Sequence, residues 1–83
     1  MNKLQAIVFK EISAHIGCSV EAISDDMELE DLGIDSLGAI TILYELEDSL
    51  DIEIPNEVLG EVKCVGDILV QIELIQNKKQ QNV

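Results

Sequence analysis

The sequence predicts an all-α fold: a small four-helix bundle with three main helices and a short third helix. Three observations carry this. Apolar residues recur at three- and four-residue spacing in three separate stretches. Phe9 and Tyr44 are the only aromatic residues, so the core must be filled with Leu, Ile and Val, which suits packed helices. At 83 residues the chain is expected to be one domain with a small core and modest stability.

The first helix is expected over residues 3–16. Leu4, Val8, Ile12 and Ile16 recur every fourth position with Phe9 beside them, and Gly17 is a suitable stop. His15 lies near the edge of this stripe and, with no partner motif, receives no role. Residues 17–35 form a long connection through which Val20, Ile23, Met27, Leu29, Leu32 and Ile34 are scattered. A loop this long in a small domain is usually functional or packed by its own side chains, and these residues are expected to pin it across the helices. The second helix is expected over residues 36–50. Ala39, Ile42, Leu43, Leu46 and Leu50 share its core face, at roughly 100° per residue. Leu37, Ile40 and Tyr44 fall on the other side, with Thr41, Asp48 and Asp51. Pro55 is tolerated at or before a helix start, so Asn56 to Leu59 reads as the short third helix, ended near Gly60. Residues 65–76 make the last helix, with Val65, Ile68, Leu69, Ile72 and Ile75 on one face. The polar residues 77–83 are expected to fray.

The net charge is −12, and no Lys interrupts the acids between Lys10 and Lys63. Such a field repels nucleic acid and anionic membrane and attracts basic partners, unless it is simply a soluble acidic surface. The chain contains no Arg. No segment is long and apolar enough to span a bilayer, and the N-terminus lacks a secretory apolar region, so a cytoplasmic location and no membrane insertion are expected. Cys18 and Cys64 have no metal or redox spacing and are expected to be free thiols. Asp25, Asp26, Glu28, Glu30 and Asp31 invite a calcium reading. The EF-hand template fails, because Leu32 and Ala39 fall where oxygen ligands are required; no dedicated metal site is expected.

The chemistry concentrates in Leu32-Gly33-Ile34-Asp35-Ser36-Leu37. Asp35 reads as an N-cap, with Gly33 providing the bend before it. Ser36 then lies in the first helical turn, where unpaired N–H groups and the positive end of the dipole favour an anion, a phosphate especially. On these residues alone, Ser36 could equally be a plain helix-start serine. No His or Lys near it in sequence completes a catalytic set.

This hexapeptide resembles the attachment-site motif of the acyl carrier protein family. The resemblance continues through Leu46 and Leu50, through Asp51-Ile52-Glu53-Ile54-Pro55 and through Val65-Gly66-Asp67-Ile68, so it spans nearly the whole chain. It implies a carrier rather than an enzyme, with 4′-phosphopantetheine attached to Ser36 beside Asp35 by a phosphopantetheinyl transferase using coenzyme A. Acyl groups would ride on the arm as thioesters, for fatty-acid, polyketide or related assembly. It also implies a docking face for acyltransferase and synthase enzymes with basic surfaces, formed by Leu37, Ile40, Thr41, Tyr44, Glu47 and Asp48 and extended by Ile54 and Glu57. A monomer is expected. Fatty-acid carriers commonly have acids where this chain has Gly38 and Thr41, which points to a specialised pathway. Cys64 falls where the family often has a capping Thr, which predicts a weaker start to the last helix. The alternatives are a peptidyl or D-alanyl carrier, or an unmodified acidic helical adaptor. For the apolar strip beside Ser36, burial on several sides of the bundle competes with docking.

Overall fold

A computed structural model describes residues 2–81, with side chains up to residue 77. Three α-helices carry the fold: α1 (Lys3–Ile16), α2 (Ser36–Leu50) and α3 (Val65–Gln81). Short 3-10 helices lie between them at Val20–Ala22 and Asn56–Gly60. The described residues contain no strand, only one isolated antiparallel bridge between Glu28 and Cys64.

Each boundary has a local cause. Asn2 caps α1 in a reciprocal pair: its side chain accepts from the Gln5 backbone N–H at 2.7 Å, and the Gln5 side-chain Oε1 accepts from the Asn2 backbone N–H at 3.1 Å. Gly17, with φ 74°, closes the helix in the left-handed conformation. Asp35 caps the start of α2 and Asp51, at φ 55°, ends it. The short third helix is a 3-10 turn entered from Pro55.

The last helix differs from the sequence expectation. It runs on to Gln81 instead of ending at residue 76. Polar residues do not stop a helix by themselves; Gln and Lys propagate one well, and no Gly or Pro intervenes. Residues 82 and 83 of the expected frayed tail lie outside the described residues.

The core is aliphatic with one ring. Val8, Phe9 and Ile12 meet Ile42, Leu43 and Leu46, and Val65, Ile68, Leu69 and Ile72 close the third side. Ala39 and Leu50, expected on the core face of α2, are only half-buried. The connections contribute Ile23, Leu29, Ile34, Ile52 and Val58 to the same cluster. The long loop is thus pinned as expected. Polar contacts reinforce it: the Gln5 amide donates to the Asp25 carboxylate at 3.1 and 3.2 Å, and the Leu29 N–H donates to the Lys63 carbonyl at 2.9 Å.

Where α1 meets α2, Ser49 donates to Glu11 at 3.3 Å. A hydrogen bond that the protonated Glu11 carboxyl donates to neighbouring Glu45 raises Glu11 above its ordinary value of 4.5, helped by burial and by the Glu45 charge. Two acids therefore share this seam at a cost to the fold when both are ionised.

Candidate functional site

The site is built at the start of α2. The buried Ile34 anchors the end of the loop, so Asp35 and Ser36 emerge at a fixed place. Asp35 Oδ1 accepts from the Gly38 N–H at 2.8 Å, and the Asp35 carbonyl accepts from the Ala39 N–H at 2.9 Å. The Ser36 and Leu37 amides have no protein acceptor among the described residues. Ser36 is exposed and occupies the first position of the helix. An exposed hydroxyl beside two open amides at the positive end of a helix dipole fits a phosphate ester.

Beside Ser36 opens a groove of about 620 Å³. Its floor is Ile34, Ala39, Ile40, Leu59 and Val62, and its rim carries Glu28, Glu30, Asp35 and Lys63. An extended arm with polar and apolar segments fits such a mixed lining. Glu28, Glu30, Leu59, Val62 and Lys63 were not expected at the site. They come from the two connections, and only tertiary packing brings them to Ser36.

A second, smaller cavity of about 60 Å³ lies between α2 and the Asn56–Gly60 turn. It gathers Ile40, Tyr44, Glu47 and Ile54 with Leu43, Pro55, Asn56 and Leu59. Four of the expected docking residues therefore converge. Leu37 and Tyr44 are 74 % and 64 % exposed, far more than apolar side chains of a packed bundle need to be. Ile40 is half-buried between the two cavities and is less open than the helix pattern implied. Thr41 is exposed, but its hydroxyl turns back to the Leu37 carbonyl at 3.0 Å. Asp48 and Glu57 are exposed outside both cavities.

Gly38 departs from the expectation. Read as a missing surface acid, it is instead buried against α1, and its side of the helix has little room for any side chain. Among the described residues no group of acids, His or Cys is arranged to hold a metal, and no helix is long and apolar enough to cross a membrane. Cys18 and Cys64 are both free.

Comparison with known proteins agrees with this geometry. The family described as "Phosphopantetheine attachment site" matches residues 7–69. The chain is 32 % identical to an acyl carrier protein of Rickettsia bellii over 74 residues, 88 % of this chain and 91 % of that protein. It is 37 % identical to an acyl carrier protein of Prochlorococcus marinus over 73 residues, 88 % of each. It is also 34 % identical over 74 residues to part of a conidial yellow pigment biosynthesis polyketide synthase of Emericella nidulans, 89 % of this chain but 3 % of that protein. A helix start open to phosphate thus coincides with a match that runs from α1 into α3, and the chain belongs to the acyl carrier protein family, carriers with no catalytic activity of their own whose cofactor is phosphopantetheine.

Proposed function

We propose that Ser36 bears the phosphopantetheine arm and that the chain carries acyl groups between enzymes of an assembly pathway. The observation that supports this best is the exposed Ser36 hydroxyl beside two unpartnered amides at the start of α2. When bound, the arm supplies a terminal thiol for the cargo. The chain contributes the rest: Asp35 fixes the first turn, Ser36 offers the oxygen, and the open amides meet the phosphate charge. Tethering keeps cargo at high effective concentration for successive partners. The test is intact mass after incubation with coenzyme A and a promiscuous phosphopantetheinyl transferase, followed by peptide mapping. Mass gain on Ser36 is expected. An unchanged mass would favour the acidic adaptor.

For the partners, the proposal is acyltransferase or synthase enzymes that meet α2 at Leu37, Ile40, Thr41 and Tyr44 with an apolar surface. Their cations would face Glu47 and Asp48, with Ile54 and Glu57 at the edge. The first nine residues of α2, Ser36 to Tyr44, carry no charge, and its acids begin at Glu45. That supports a specialised pathway of polyketide type over housekeeping fatty-acid synthesis; the setting proposed with it is the cytoplasm, with the carrier as a monomer.

A further inference from the structure

All 17 acids of the chain lie between Lys10 and Lys78, and Lys63 is the one Lys among them. It lines the groove that Ser36 also lines. Both of its backbone groups are taken: the N–H donates to Asp67 Oδ2 at 2.9 Å, and the carbonyl accepts from the Leu29 N–H at 2.9 Å. What Lys63 has left to offer the groove is its side chain, and the residue is exposed. No ion pair ties the ammonium to an acid among the described residues. The Lys63 backbone N–H is the first cause of the lowered Asp67 carboxyl, and the Lys63 charge is only the last.

The rest of the groove decides what this ammonium meets. The floor, with Ile40, Leu59 and Val62, is apolar and suits a short hydrocarbon segment. The acids Glu28, Glu30 and Asp35 outnumber Lys63 three to one, so the lining is net negative. A cargo carboxylate is repelled by that surplus, whereas a neutral carbonyl oxygen takes a hydrogen bond from the ammonium without it. A saturated chain has no acceptor beyond its thioester and would only displace water from the ammonium. We propose that Lys63 is a specificity-determining residue for the cargo: it donates to the keto oxygen of a 3-oxoacyl group folded back into the groove, and so favours 3-oxoacyl cargo over saturated or carboxylated cargo. This deepens the carrier reading above and rests on Ser36 bearing the arm. One methylene separates the keto group from the thioester, so a held keto oxygen also keeps the thioester inside the groove mouth.

The experiment uses wild type, Lys63→Met and Lys63→Arg, each loaded by the promiscuous transferase from 3-oxobutyryl-, butyryl- and malonyl-coenzyme A. Loading at Ser36 is first established by peptide mass. Met keeps the aliphatic stem and removes the charge; Arg keeps a charged donor. A neutral thiol, 2-mercaptoethanol, then releases the cargo, and intact mass follows the loss. Each rate is divided by that of the same cargo on free coenzyme A, which removes differences in intrinsic reactivity. Wild type is expected to shield 3-oxobutyryl about threefold better than butyryl or malonyl, the effect of a weak net hydrogen bond. Lys63→Met should abolish that preference and Lys63→Arg should keep most of it. A carbon-13 label on the keto carbon should resonate differently in wild type and Lys63→Met, while a labelled butyryl chain should not. Equal shielding of the three cargos in wild type would overturn the proposal, as would a preference that survives Lys63→Met, or stronger shielding of malonyl than of 3-oxobutyryl. Loading absent from Ser36, or mapped elsewhere, would overturn the Ser36 reading, and this proposal with it, before any rate is measured.

Discussion

The starts of α2 and α3 have the same backbone polarity and opposite fates. At α3 the amides are consumed. Asp67 Oδ2 accepts from the Lys63 and Cys64 N–H groups at 2.9 and 3.2 Å, and Val65 and Gly66 donate to the carbonyls of Met27 and Asp25 at 3.0 and 2.8 Å. At α2, Asp35 accepts from Gly38, and the amides of Ser36 and Leu37 stay open. A helix start becomes a place for a ligand only when the chain declines to close it. The long loop closes α3 and, by ending at Asp35, leaves α2 available.

The largest expected effect tests the open start. Ser36→Ala should abolish loading as read by intact mass while leaving the melting temperature nearly unchanged, because the residue is exposed and Ala is the best helix former. Asp67→Ala tests the closed start. It removes the acceptor for two amides and should cost about 1 kcal/mol, lowering the melting temperature by about 4–8 °C with loading intact. The backbone N–H of Lys63 leads the groups that hold the Asp67 carboxyl below its ordinary value of 3.8, with further help from the Cys64 N–H and thiol. Its stabilisation is therefore full above that ordinary value and is lost as pH falls through the lower folded one. A loading defect in Asp67→Ala would erase the contrast between the two starts.

The seam between α1 and α2 supplies the opposite sign. Glu11 is raised when folded, so its ionised form costs stability at neutral pH and the cost disappears as pH falls through the folded value toward 4.5. Glu11→Gln should gain about 0.5 kcal/mol at pH 7 and nothing at pH 4, as thermal melts across pH will show. In that background the acid-side loss due to Asp67 should stand alone. The smallest effect concerns the uncharged half of α2. Thr41→Glu should speed acyl transfer with basic fatty-acid synthase partners by about twofold at low salt, with the gain gone at high salt. No gain in stopped-flow transfer kinetics would remove the support that charge pattern gives to a specialised pathway.

Much of this was legible in the chain. The bounds of α1 and α2, the Asp35 cap and the exposure of Leu37 and Tyr44 follow from local rules that act within one turn. The groove was not, because Lys63, Val62 and Glu28 reach Ser36 only through the pairing of two distant connections. Gly38 was misread for a related reason. A residue without a side chain contributes nothing to an apolar stripe, so periodicity cannot say that it faces α1. The weak start expected for α3 follows from looking only at Cys64; the compensating acceptor, Asp67, sits inside the helix, and the Cys64 thiol leans on it.

The bridge between Glu28 and Cys64 also places the two sulfur atoms in contrasting settings. Cys18 is exposed in the turn after α1, while Cys64 is half-buried beneath the paired loop. An alkylating reagent should label the exposed Cys18 faster than the half-buried Cys64, and Cys64 faster still when the paired loop lifts. The molecule therefore carries its own clock and reference: the ratio of the two labelling rates reads local opening of the loop that frames Ser36, without any added probe.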